Sequence, residues 1–500
     1  MMKRKRVAKY KPKGLVKEKR PRLQLSDLPM DILHSIISRL PIREAVRTST
    51  LSKHWKHVWC SRTNLKFSFK SMVYKKGSMV PRSSISEHVF IRRVDAVLKQ
   101  HSGRGVERME VDFSPLHSEH AEHIDGWVKF AIASKANQLV LDFGGQYPGK
   151  EPYSFPFQLF DATNGSYLQY MKLGSVSLKQ PASIKVFLNL KKLDLVDVNV
   201  TDDELKAMLF NCNVVEFIGI SRCRMLTCVH TPHPLDHLKH LHISNCPLLQ
   251  RIELSYGLIT VEYEGLLIPL APPSTLRHVS IKSLDIRSAL AYIFTGLPST
   301  LPLLEMLTLR CYELKRATLL NKPPNFPNLR HLRLELNFVS VRKRSTDALD
   351  LAHLLEAAPL LENLEVHMWM DYKLQRYHKC HGELRSLPPH PHAHLKLVNI
   401  TGFYGQKDQL ELALHILRNS NMLEAMKIDP RPMIAAINYK LCHKDGLRFV
   451  DGYKVAKKYL RKSDRGGLVD VIRFRLRDVK NVNPYKQIDP EWLAMVADDE

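Results

Sequence analysis

From about residue 105 onward the chain repeats one apolar spacing, L-x-x-L-x-L, with other aliphatic residues standing in for leucine. The triplets are Leu168-Met171-Leu173, Leu190-Leu193-Leu195, Val215-Ile218-Ile220, Leu238-Leu241-Ile243, Leu249-Ile252-Leu254 and Leu276-Val279-Ile281. They continue as Leu304-Leu307-Leu309, Leu329-Leu332-Leu334, Leu361-Leu364-Val366, Leu395-Val398-Ile400 and Leu423-Met426-Ile428. Starts fall about 22 to 34 residues apart, except for a step of 11 from 238 to 249. The last two apolar positions of a triplet are two apart, so a short strand points both to one side. One such unit cannot bury its own face, whereas stacked units form a continuous core behind a parallel ribbon of strands. Weaker matches, Val106-Met109-Val111 and the run Leu139 to Phe143, place the start of the array near residue 105.

Between the triplets the period changes to that of helices, as in Asp202 to Leu209 and Asp350 to Ala357. Pro302, Pro327 and Pro359 precede strand triplets and stop those helices, since the residue before a proline is pushed out of helical geometry. The fold class that follows is α/β, an irregular repeat solenoid. A conventional α/β core whose strands happen to begin with leucine is the alternative.

The segment Leu25 to Trp59 has a different pattern. Asp27 and the pair Leu28-Pro29 open a helix, and Ile32, Leu33, Ile36, Ile37 and Leu40 fall on one face of it. Pro41 ends that helix and starts a short one carrying Ile42, Ala45 and Val46; a third carries Leu51, Trp55 and Trp59. About forty residues hide too little surface to bury so many large apolar groups alone, so part of this face calls for a partner.

In order, spacing and residue type these helices resemble the F-box, particularly its plant form: Leu28-Pro29, Ile36 to Pro41, Ala45-Val46-Arg47-Thr48 and Leu51-Ser52-Lys53-His54-Trp55. The repeats resemble leucine-rich repeats. His394 to Asp429 is similar to the FBD module of plant F-box proteins, with a strand Thr401-Gly402-Phe403, a helix around Leu410 to Leu417 and a closing strand Leu423 to Ile428. Val455 to Leu460 then reads as a helix and Leu468 to Phe474 as a strand, forming a terminal cap. The division expected is a basic tail (1–21), an F-box (22–62), a linker and entry to the solenoid (63–104), repeats (105–393), an FBD-like terminal repeat and cap (394–476) and a C-terminal tail (477–500).

The resemblance implies a non-catalytic adaptor of an SCF-type cullin-RING ubiquitin ligase, with the F-box bound to a Skp-like subunit and the repeats to an unidentified protein substrate. Its adaptor-binding residues would be Leu28, Pro29, Ile32, Ile36, Leu40, Pro41 and Val46, with Trp55 and Trp59 bracing the helices. Between the core leucines, His242, Arg333, Glu335 and Glu365 are candidates for the substrate-facing surface. An interaction scaffold unrelated to ubiquitin, or a nucleic-acid-associated factor, are the other readings.

Composition narrows these choices. Residues 1–22 contain eleven Lys or Arg against Glu18, a net +10 of the total +25, and the remaining charge is spread without a block. Lys3-Arg4-Lys5-Arg6 fits a nuclear-import signal, a nonspecific anion-binding arm or a solvated leader, placing the chain in the nucleus, the cytoplasm or both. No zinc-finger spacing or RNP-like aromatic pattern accompanies the charge, so nucleic acid is disfavoured as a partner. No run reaches the roughly 18 apolar residues of a membrane span, and no apolar leader argues for secretion. The eight cysteines are sparse and irregular, as suits reduced thiols. His378, Cys380, His381, His390, His392 and His394 in a proline-rich stretch, and Cys223 and Cys228 near His230 and His233, match no standard metal framework. No phosphate loop, nucleophile elbow or H-E-x-x-H helix is present, so no cofactor, metal or catalytic residue is assigned.

Overall fold

The computed structural model describes residues 28–474 apart from 51–52, 73–86, 146–148, 162–164, 180–186, 211, 232–234, 254–256, 267, 269, 272–274, 284–300, 312–325, 339–346, 371–375, 434–442 and 465. Asp27, Leu51, the basic run Lys3 to Arg6 and the C-terminal tail therefore lie outside the described residues.

Three short helices come first: α1 (Met30–Ser38), α2 (Ile42–Arg47) and α3 (Lys53–Cys60). Pro29 and Pro41 sit at the N-cap positions of α1 and α2, where a missing amide hydrogen costs nothing and the carbonyls still accept the first helical bonds from Leu33 and Ala45.

Fifteen strands follow in one parallel sheet: β1 (Asn64–Ser68), β2 (Arg108–Asp112), β3 (Gln138–Asp142), β4 (Tyr170–Gly174), β5 (Lys192–Val196), β6 (Phe217–Ser221), β7 (His240–Ser244) and β8 (Thr260–Gly265). The remainder are β9 (His278–Ser283), β10 (Met306–Cys311), β11 (His331–Phe338), β12 (Asn363–Met370), β13 (Leu397–Thr401), β14 (Ala425–Asp429) and β15 (Val469–Val471). Their order in space is their order in sequence, the topology of a solenoid. Registration is continuous: one apolar row runs from Leu65 through Met109, Leu139, Leu193, Leu241 and Leu364 to Val469, and a second from Phe67 through Val111, Leu195, Ile243 and Val366 to Val471.

Helices α4 (Phe69–Met72), α5 (Glu87–Gln100), α6 (Ala121–Ala133), α7 (Asp202–Leu209), α8 (Ala352–Glu356), α9 (Lys407–Asn419) and α10 (His443–Val455) lie between strands. The predicted span of α7 is matched residue for residue, because Thr201 and Glu204 form a reciprocal capping box at its start.

Several expectations change. The sheet begins at Asn64, inside the stretch read as a linker, and that stretch also holds α4 and α5. The triplet beginning at Leu249, the one out of period, is not in the main sheet: Arg251–Glu253 pairs with Cys228–His230 and Leu270–Ala271 in a separate three-stranded sheet. Leu249 and Ile252 are buried all the same, since this second sheet walls the other side of the core. The main-sheet unit at this point is Leu258-Val261-Tyr263, masked in the sequence by an aromatic at its last position, whose hydroxyl donates to the Leu266 carbonyl. Thr401-Gly402-Phe403 is a turn and not a strand: β13 ends at Thr401, and Gly402 has φ of +67° with the Met368 carbonyl oxygen where a Cβ would be. The helix read over Val455 to Leu460 is part of a longer one, which starts at His443, passes through a π-helical stretch at Ala456–Leu460 and ends as an α-helix at Ser463.

The three N-terminal helices are not a separate bead. Leu33, Ile37, Ile42, Ala45, Trp55, Val58 and Trp59 join one hydrophobic core that runs to Phe474. Placed against β1, they cover the first edge of the sheet, which would otherwise present a row of unpaired backbone groups.

Candidate functional site

Helix α1 carries more apolar residues than its core-facing side accommodates. Leu33 and Ile37, one turn apart, are fully buried, whereas Met30, Ile32 and Ile36 keep 41%, 44% and 37% of their surface in contact with solvent. Pro29 and Pro41 at the two ends of the helix are exposed, and Leu28, Leu40 and Val46 are half-buried against the core. The exposed strip is therefore Pro29, Ile32 and Ile36, spaced three and four residues apart, with Pro41 beyond the helix end and Leu28 and Leu40 at its edges. Met30 is exposed as well but points to another side of the helix, two residues from Ile32.

Trp55 and Trp59 are buried, at 6% and 0% exposure, and so are not contact residues for a partner; bracing is the part their position allows. The Trp59 ring lies 6.4 Å from that of His101, in the segment after α5. Arg62 fastens the same corner: its guanidinium donates to the carbonyls of Leu40 at 2.7 Å and Ser38 at 2.9 Å, satisfying acceptors that the end of α1 leaves open. Ser102 donates through its amide and hydroxyl to the Cys60 carbonyl, at 3.0 and 2.8 Å. These contacts hold α1 at a fixed angle to the solenoid.

The outward positions of the sheet form the second candidate surface. His242, Arg333 and Glu365 occupy its middle row, as expected of substrate-facing positions. Glu335 differs: it is 3% exposed beneath Arg310 and Arg333, with Arg310 Nε at 2.8 Å. Burial raises the Glu335 pKa, but the two guanidiniums outweigh it and hold the carboxyl below its usual range. Hydrogen bonds from His240 and His242 hold the Glu262 carboxyl well below the usual range, and His331 and His367 do the same for Glu365. Towards the first strands, Lys66 and Arg108 pair with Glu110, and Lys172 with Asp142. These cations are thus paired with carboxylates on their own or the adjacent strand.

The two constellations weighed as metal ligands are dispersed. The stretch Tyr377 to Leu395 is a strap across α9, tied by the Tyr377 amide to the Gly405 carbonyl (2.7 Å), by Arg385 to Asp347 and Glu411, and by the His392 amide to the Asn419 carbonyl (2.8 Å). Within it His378 approaches Cys380 at 3.2 Å, while His392 stacks edgewise on His390 and His415. Cys223 is fully buried, its thiol pushed up to about 12 by burial, and His230 is bound to Glu253 at 2.9 Å, not to a cysteine. No described helix is long and apolar enough to cross a membrane.

Comparison with known proteins agrees with the division into N-terminal helices and a repeat array. Residues 25–67 match the F-box domain model, and residues 97–469 match the model for the LRR domain of At1g61320/AtMIF1. Three Arabidopsis thaliana proteins illustrate the relationship. F-box/FBD/LRR-repeat protein At1g13570 is 27% identical over 237 residues, 46% of this chain and 53% of that protein. Putative F-box/LRR-repeat protein At3g18150 is 28% identical over 199 residues, covering 40% and 38% respectively. F-box protein At5g03100 is 25% identical over 230 residues, covering 46% and 62%. The chain spans about half the length of these curated relatives. With the family model covering most of its length and an F-box ahead of the repeats, the chain belongs to the family of the At1g61320/AtMIF1 leucine-rich-repeat domain, as an F-box member of it.

Proposed function

We propose that this chain is the substrate-recognition subunit of an SCF-type cullin-RING ubiquitin ligase, with α1 docked on a Skp-like adaptor and the outward face of the sheet receiving a protein target. The observation that carries the reading is the exposed strip Pro29, Ile32 and Ile36, with Pro41 beyond it, on a helix whose Leu33 and Ile37 face is fully used by the chain's own core. An amphipathic helix with apolar residues on two sides has one side left for a groove on another protein. The chain would contribute no reacting group: acceleration would come from holding a target beside a ubiquitin-charged enzyme, turning an encounter in solution into a local one. Pairing of the sheet-face cations with Glu110, Asp142, Glu335 and Glu365 favours a protein target over a phosphate backbone, which needs unpaired positive charge. The FBD-like segment around α9 would close the array, and Lys3 to Arg6 would serve nuclear import.

The test is co-purification with a Skp-like adaptor, comparing the intact chain with Leu28→Ala/Pro29→Ala and following helix content by circular dichroism. Binding that the folded double variant loses supports the reading. No binding by the intact chain refutes it and leaves a leucine-rich scaffold outside the ubiquitin system.

A further inference from the structure

Away from both surfaces, one cluster of side chains is left chemically incomplete. His117 and His120 flank a single 3-10 turn before α6, and Glu87 stands at the N-terminal end of α5. One ligand atom from each lies within 4.8 Å of the other two. The imidazoles are 6% and 5% exposed, with ring centroids 4.5 Å apart. His120 Nε2 faces a Glu87 carboxylate oxygen at 3.2 Å. The Nδ1 of His117 is buried with no hydrogen-bond partner. A buried polar nitrogen is unfavourable without a partner, and a lone pair there is available to a ligand.

We propose that Glu87, His117 and His120 form a binding site for a divalent transition metal, zinc by preference, which ties the start of α5 to the loop that leads into α6. Two imidazole nitrogens and one carboxylate oxygen are a zinc donor set, with water as the fourth ligand. The 3.2 Å between His120 Nε2 and the Glu87 carboxylate already suits two ligands of one ion, and all three ligand atoms lie within 4.8 Å of one another, whereas zinc holds nitrogen and oxygen at about 2.0 to 2.2 Å, so binding would draw the set slightly together. Zinc at Nε2 would move the His120 proton to Nδ1, which accepts from the His117 amide only at 3.4 Å. A contact that long is at the outer limit of a hydrogen bond, so losing it costs little. The adjacent Glu119 is occupied by Lys150 at 2.6 Å and does not compete for the ion. The H-x-x-H spacing passed unnoticed in the sequence because its third member lies 30 residues earlier than His117 and on another helix.

Isothermal titration of the chelator-treated full chain with zinc, paired with thermal melts with and without the ion, tests this. The intact chain binds one equivalent and melts higher with zinc, since a ligand that binds only the folded state stabilises it. His117→Ala and, as a milder variant on the helix end, Glu87→Gln each weaken the site by at least about tenfold, the smallest loss seen even for outer-shell groups. His378→Ala, in the exposed strap, leaves zinc binding unchanged. Absence of zinc binding by the intact chain overturns the proposal and means that a buried water completes His117. Binding that survives both His117→Ala and Glu87→Gln overturns it equally, placing the ion elsewhere.

Discussion

Replacing Ile32 and Ile36 together by alanine separates a docking strip from a core. Fully covering an isoleucine is worth about 1.5 to 3 kcal/mol. Ile32 and Ile36 still expose 44% and 37% of their surface, so what a partner can gain from covering the pair is about 1.2 to 2.4 kcal/mol. At 1.4 kcal/mol per factor of ten, the double variant binds a Skp-like adaptor about 7 to 50 times more weakly. Folding stability falls less than for a core truncation, because both side chains are partly exposed and alanine favours a helix more than isoleucine does. Leu33→Ala, on the same helix but with 0% exposure, is the mirror image: it costs about 2 to 5 kcal/mol of stability through the cavity it leaves. Calorimetric titration with the adaptor and urea melts of each variant give the two numbers. An affinity unchanged in Ile32→Ala/Ile36→Ala, with helix content and stability intact, would refute docking through this face whatever else the F-box does.

Gly402→Ala forces a left-handed residue and puts a Cβ 1.8 Å from the Met368 carbonyl oxygen, so β12 and the turn that follows β13 are pushed apart; a loss of at least about 2 kcal/mol in a urea melt is expected. Arg385→Ala leaves the 2%-exposed Glu411 with the residue-385 amide in place of a guanidinium and removes one of the ties between the strap and α9. Its cost is about 2 to 4 kcal/mol, less than for a fully buried pair since the Arg385 side chain is 43% exposed, and Arg385→Lys does not restore the two-sided contact with Asp347 and Glu411. Acidification should loosen the same end of the molecule. Burial, with His415 and His390 nearby, lowers the His392 pKa to about 4 in the folded chain, so the unfolded state binds a proton first; stability is full above about pH 6.5 and falls as pH drops towards about 4. His392→Asn should flatten that part of a stability profile measured from pH 7 to 4.

The N-terminal strip, the two apolar rows and the helix α7 were legible because each rests on a short-range rule. A side chain's face follows from a period of two or of 3.6, and Thr201 with Glu204 announces a helix start within four residues. Which of two apolar faces is covered is a different matter. Leu33 and Ile36 look alike in sequence; the arrival of β1 and α3 on one side alone made the first a core residue and the second a docking residue. Likewise the spacing of Leu249 and Ile252 specified a buried strand but not its sheet, since both walls of the core demand the same apolar pair. Buried polar neighbours are further still from the sequence: Glu411 meets Arg385 across 26 residues, and Glu87 meets His120 across a helix and a strand. Periodicity is local and reports which way a residue points, whereas what it meets depends on distances that only the packed chain sets.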